Sequence, residues 1–316
     1  MGQLIKIIDC ISRYEQNIYL YPSRFVKLKK QQWELLLTRF EEEGKESQLL
    51  EEEPSQYHKP GLKDKLLNIV KRNKETMIEE EMAEEEPNHN EESFSFTADY
   101  HVRPTSTKEL KQMYLDQLFR TQLKWASSTL FSESSLPRSY YYNEQLKYLL
   151  QRFPDTFLIL FMPILKLGQA PVSLDTIVLT PTEVICLHFL DGDELTAYTG
   201  SGGRFWLAKK ENEQKILNPL ISLNRTAAVV KKILDKHVVT LPVQKVVLCR
   251  DGYIDYPTVP FDVTLIDRKA YQSWFINKRQ TKAPLKSQQL LAAQALLTYA
   301  ESISFERSEW SDIGEG

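Results

Sequence analysis

Residues 174–192 read Leu-Asp-Thr-Ile-Val-Leu-Thr-Pro-Thr-Glu-Val-Ile-Cys-Leu-His-Phe-Leu-Asp-Gly, two apolar runs joined by a turn, with Asp175 at the start of the first. Metal-assisted cleavage of a phosphodiester on such a hairpin requires that carboxylate, then a Glu or Asp and a Lys one residue apart on the second strand. The carboxylates hold Mg²⁺ and the ammonium orients water. His188 and Leu190 occupy those two positions. Imidazole suits transition metals better than Mg²⁺, and leucine neither orients water nor neutralises a phosphate. Glu144, at the start of a predicted helix, is a further candidate catalytic residue and, with Asp175, a candidate metal ligand. Lys209 and Lys210, with Arg225, Lys231 and Lys232 on a following helix, are placed to meet a phosphate backbone, because clustered cations release counterions on contact with nucleic acid. A displaced lysine, Lys209 or Lys166, is the one route by which the missing ammonium returns.

The elements around these residues are legible from periodicity. Residues 4 to 40 read as helical, with Leu4, Ile7, Ile8 and Ile11 on one face and a break at Tyr21-Pro22. Ser106 and Glu109 offer a capping box for an amphipathic helix reaching about Trp125, and a helix follows over 140–152. The apolar run 156–166 predicts a central strand, with further strands near 176–179, 184–190, 195–198 and 204–208. Asn218-Pro219 supplies an N-cap and first-turn proline for a helix to about Lys236. Strands at 244–248 and 263–266 and helices at 268–275 and 287–300 complete a mixed α/β pattern. The expected organisation is a helical extension over 1–40, an acidic, partly disordered linker over 41–105, an α/β domain over 106–300 and a flexible tail over 301–316. Within the linker, glutamate clusters and Pro54, Pro60 and Pro87 surround one charged helix, 62–82.

Composition narrows the class. The chain has 316 residues, 42% hydrophobic, 26% charged and 11% aromatic, which excludes wholesale disorder and fibrous repeats. A net charge of -3 selects no partner; the distribution matters more, acidic over 41–92 and basic over 209–286. Cys10, Cys186 and Cys249 are far apart, which predicts buried reduced thiols in a cytoplasmic protein rather than a zinc site or disulfide framework. No run approaches the roughly 18 apolar residues of a membrane span, and the charged start is no signal peptide.

In order and spacing, several of these segments resemble the nuclease-related domain (NERD) family of the PD-(D/E)XK nuclease superfamily. Asn143-Glu144 with Leu146 and Leu149 is similar to the family's Gly-Glu helix, Leu174-Asp175 to its Ile-Asp strand start, and 184–192 to its Glu-x-Lys strand. Phe205-Trp206 is similar to its Trp strand, Asn218-Pro219 to its Asn-Pro-x-x-Gln helix, and Leu241 to Leu248 to its last strand. The resemblance covers about residues 140–266 and implies an α/β fold with a mixed central sheet flanked by helices, restriction-endonuclease-like, in a bacterial protein. It implies a site at Glu144 and Asp175, from which this chain departs at His188, Leu190 and Ser222. The expectation is a degenerate nuclease that binds DNA, RNA or a protein partner without cutting, with no cofactor and no membrane association. Two alternatives stand: an active Mg²⁺ or Mn²⁺ nuclease with a displaced lysine, and a scaffold recruiting proteins through its N-terminal helices.

Overall fold

The computed structural model describes residues 1–51, 96–168, 170–210 and 213–307. The predicted helix at 62–82 lies outside them. Two compact units form, one of Met1–Lys29 with Lys111–Gly316 and one of Lys30–Leu110. These boundaries differ from the expected division at 40 and 105.

The larger unit is a mixed six-stranded sheet flanked by helices. Its strands are β1 (Gln3–Ile7), β2 (Leu158–Phe161), β5 (Thr176–Leu179), β6 (Val184–Phe189), β10 (Val243–Leu248) and β12 (Val263–Ile266), in the order β1-β2-β5-β6-β10-β12. β1 runs parallel to β2, β2-β5-β6 form an antiparallel meander, and β6, β10 and β12 are parallel. Strands covered on both faces show no polar face, and 158–161 and 176–179 are buried throughout. Between β2 and β5, β3 (Ile164–Leu167) and β4 (Ala170–Ser173) pair as a hairpin. The run expected to be one strand from 156 to 166 is therefore two, separated at Met162 and Pro163, with Met162 at φ 47°.

Two further corrections concern the ends. Gln3–Ile7 is not helical; it is a wholly buried edge strand of the main sheet. Residues 301–307, expected as flexible tail, are held: Ile303 N donates to Asp9 O at 2.8 Å, and Phe305–Glu306 pairs with Ser132–Glu133. Among the described residues the α-helices are α1 (Arg13–Gln16), α2 (Tyr21–Glu51), α3 (Thr107–Trp125), α4 (Glu144–Arg152), α5 (Pro219–Lys236), α6 (Arg268–Arg279) and α7 (Ser287–Thr298). Ser106 Oγ accepts from Glu109 N at 3.2 Å, while the Glu109 carboxylate turns to Thr105 N, so only half the expected capping box forms. In the smaller unit, Arg39 joins Glu43 and Asp99, and Tyr100 Oη donates to Glu43.

A second, four-stranded sheet has the order β9-β8-β7-β11, from β7 (Ala197–Thr199), β8 (Phe205–Lys209), β9 (Glu213–Leu217) and β11 (Tyr253–Asp255). Of these, only the strands expected near 195–198 and 204–208 are legible in the sequence, and they belong to this separate sheet. Trp206, fully buried, packs the inner face of this second sheet against Tyr256, ring centroids 5.4 Å apart.

Edge strand β1 would leave backbone groups unpaired without help from α3. Gln122, 1% exposed, accepts from Leu4 N at 2.6 Å and donates to Gly2 O at 2.8 Å. Replacing its amide strands both groups in a dry interior. Gln122→Leu is expected to lower unfolding free energy by about 2 to 4 kcal/mol in urea titration; a loss under about 0.5 kcal/mol would show the clamp to be dispensable.

Candidate functional site

The geometry begins with a tight turn. Thr180 N donates to Glu183 O at 2.9 Å and Thr180 Oγ1 accepts from Glu183 N at 3.1 Å, which closes the β5–β6 hairpin. Its register sets Thr176 opposite Leu187. One position further, Asp175 meets His188. Alternation puts Val184, Cys186 and His188 on the face covered by α5.

α5 starts where the sequence predicts. Asn218 Oδ1 accepts from Leu220 N at 2.9 Å, and its amide donates to Ser201 O at 3.2 Å and Gly203 O at 2.7 Å. The cap thus ties the helix to the loop before β8. Ser222 and Thr226, four apart on one helix face, both turn toward Asp175.

Asp175 Oδ1 lies 2.8 Å from His188 Nδ1, with the two side chains 13% and 28% exposed respectively. Ser222 Oγ stands 3.4 Å from both Asp175 Oδ1 and His188 Nδ1. Thr226 Oγ1 donates to Asp175 Oδ2 at 3.2 Å and accepts from Asp175 N at 2.9 Å. A carboxylate at Nδ1 favours the tautomer with the proton on that nitrogen, which puts the lone pair on Nε2. Among the described residues Nε2 has no hydrogen-bond partner. The arrangement can accept a proton at Nε2 or, once protonated, donate to a phosphate oxygen.

The same geometry is a poor cage for a hard divalent cation. Both Asp175 oxygens are engaged, and no group of three His, Cys, Asp or Glu side chains that could hold a metal exists among the described residues. Glu144 is exposed in the first turn of α4 and bonds to neither Asp175 nor His188. Leu190 is 8% exposed, and its backbone N donates to Leu248 O. Of the lysines considered as its substitute, Lys166 pairs with Glu301 and Lys209 with Glu213, each at 3.8 Å. Lys210 pairs with Asp193. Arg225, Lys231 and Lys232 are exposed on α5, Arg225 one turn beyond Ser222.

Sequence reasoning missed Thr226 and a neighbouring ion pair. Lys245, opposite Cys186 in the β6–β10 register, reaches Asp262 Oδ2 at 2.5 Å and Asn224 Oδ1 at 2.6 Å. That ammonium holds the Asp262 carboxyl below the usual carboxylate range. The missed signal was the Ser222-x-x-x-Thr226 spacing.

No family model matches the chain, and no solved structure matches it significantly. A curated protein of Geobacillus stearothermophilus, named RNA 2',3'-cyclic phosphodiesterase, is 32% identical over 127 residues, 39% of this chain and 36% of that protein. The chain therefore matches about a third of that relative's length.

Behind His188, Cys186 is fully buried, and burial followed by the Asp175 charge pushes its thiol up to about 12. Burial likewise raises Cys10 to about 11, and Cys249 is raised in the same way. A thiol whose folded pKa exceeds its unfolded one keeps its proton on folding. The resulting stabilisation is complete below about pH 9 and is lost as pH rises through the folded values. Two outcomes are expected: no reaction of the native protein with a thiol reagent at pH 8, and unfolding free energy that declines between pH 9 and 12. Rapid labelling of Cys186 under native conditions would show that the face beneath the site is open.

Proposed function

We propose that this chain is a degenerate, NERD-like member of the PD-(D/E)XK nuclease group that holds a nucleic-acid phosphodiester, RNA foremost, at Asp175, His188 and Ser222 without metal-dependent cutting. One observation carries the reading. The carboxylate that would bind a metal is instead engaged by an imidazole at 2.8 Å, and no lysine or arginine joins it among the described residues. The succession of α4, the meander β2-β5-β6, α5 and the parallel strand β10 supports the nuclease-group assignment, since it puts Asp175 and His188 on adjacent strands beneath a helix. The name of the partial relative supports RNA as the ligand. His188 gives a phosphate oxygen a directed donor, and Arg225 adds a cation on the same helix face as Ser222.

A second reading is favoured by the carboxylate-held imidazole itself: hydrolysis of a cyclic phosphate at an RNA end without a metal. Nε2 takes a proton from water as the water oxygen bonds to phosphorus. The bond from phosphorus to one ribose oxygen breaks, and that oxygen receives the proton from the imidazolium.

Fluorescence anisotropy with a labelled single-stranded RNA at low salt tests binding. Wild type should bind with an affinity that falls steeply with salt, and His188→Ala should weaken it about tenfold. With Mn²⁺ added, plasmid and linear DNA should remain intact; cleavage abolished by Asp175→Ala would overturn the reading in favour of an active metal nuclease. Chromatography of 2',3'-cyclic uridine monophosphate incubated with protein in EDTA separates the second reading, which requires product from wild type and none from His188→Ala.

A further inference from the structure

The open face of the second sheet carries a composition that the site itself does not use. Phe205 and Leu217 are directly paired across β8 and β9, and the side chains alternate so that both lie on one face with Leu207, Lys209 and Lys215. Trp206 and Tyr198 point the other way and are buried. Phe205 is 48% exposed and Leu217 56%, so a contiguous apolar strip faces solvent on a sheet of otherwise polar rim. Ile221, in the first turn of α5, is 47% exposed.

Charge on this face is basic beside Phe205, and its acidic residue, Glu213, lies opposite Lys209 at the hairpin end. The Arg204 guanidinium lies 5.6 Å from the Phe205 ring centroid, and Lys215 is adjacent on β9. Neither has an acidic partner among the described residues, whereas Lys209 and Lys210 are paired with Glu213 and Asp193. A flat aromatic ring flanked by uncompensated cations suits a ligand that alternates π-faces with anions. The strip also abuts the site through covalent and hydrogen-bonded structure. Asn218 N donates to Arg204 O at 3.0 Å, which fixes the start of β8 beside the α5 N-terminus, and Ser222 follows Ile221 directly.

We infer that the outer face of β8 and β9 is a stacking platform for single-stranded nucleic acid, with a base on Phe205 against Leu217 and phosphates at Arg204 and Lys215. It receives the strand that leaves the phosphate position at His188 and Ser222. The inference rests on the nucleic-acid reading above. Stacking is sequence-tolerant because every base has a π-face, so the platform supplies affinity and direction rather than sequence choice.

The test is anisotropy with a labelled eight-nucleotide uridine oligomer and an abasic oligomer of equal length, on wild type, Phe205→Ala, Phe205→Tyr, Lys215→Gln and His188→Ala. Phe205→Ala should weaken uridine-oligomer binding about tenfold or more, while Phe205→Tyr retains it. Wild type should bind the abasic oligomer as weakly as Phe205→Ala binds either one. Lys215→Gln should flatten the salt dependence. Wild-type affinity in Phe205→Ala, with His188→Ala impaired, would overturn the platform and leave the phosphate site standing. Failure of the wild type to bind any oligomer would overturn the nucleic-acid reading and the platform with it. A dimer in light scattering that Phe205→Glu dissolves would assign the strip to a second copy of this chain, against the platform.

Discussion

The contact between Asp175 and His188 depends on a single strand register. A slip of one residue in the β5–β6 hairpin would turn His188 to the opposite face of the sheet and leave Asp175 facing only the hydroxyls of Ser222 and Thr226. That register is secured twice, by the Thr180–Glu183 turn and by the buried apolar residues on both faces of β5 and β6. α5 is then aimed by the Asn218 cap, whose side chain holds both the first helical turn and the loop before β8. A small number of hydrogen bonds thus links the main sheet, the helix and the second sheet at one corner of the larger unit.

The chemistry follows from what this corner contains. A carboxylate alone at the strand start would attract cations. Bonded to an imidazole, it becomes an orienting group, and the reactive atom shifts outward to His188 Nε2. The site thereby changes from a candidate metal ligand pair to a directed nitrogen above a hydroxyl. Lysine at position 190 would have supplied a general cation; the leucine found there is buried, and its backbone serves the sheet.

Much of this was legible in the sequence, for identifiable reasons. The β5–β6 hairpin, α5 and the strands at 243–248 and 263–266 have strong local signals: apolar runs of strand length, a proline-containing turn, and an Asn-Pro helix start. β1 was hidden because a five-residue strand buried on both faces, with Gln3 and Lys6 in it, shows no alternation, and its apolar residues happen to fit a helical spacing with Ile8 and Ile11. Lys6 is tolerated there because Glu15, in the following helix, and Ser302, from the far end of the chain, bond its ammonium at 2.6 and 2.7 Å. At the site, Asp175 and His188 could be named from spacing along the hairpin, and Ser222 only as a departure from the family's Asn-Pro-x-x-Gln helix. Thr226 and the Lys245–Asp262 pair could not, since they depend on the azimuth of α5 over the sheet. The neutralisation of Lys209 by Glu213 and of Lys210 by Asp193 was equally invisible, because the first depends on the β8–β9 hairpin and the second on the pairing of β7 with β8.

The most direct measurement is a two-bond ¹H–¹⁵N correlation spectrum of the His188 imidazole, assigned with His188→Gln, recorded in EDTA with and without single-stranded RNA. A proton on Nδ1 with an unprotonated Nε2 in the free protein, and an Nε2 resonance that moves on RNA addition while Nδ1 stays in place, is the predicted result. A proton on Nε2, or a spectrum indifferent to RNA that shifts only with Mn²⁺, would contradict a carboxylate-oriented, metal-independent phosphate site.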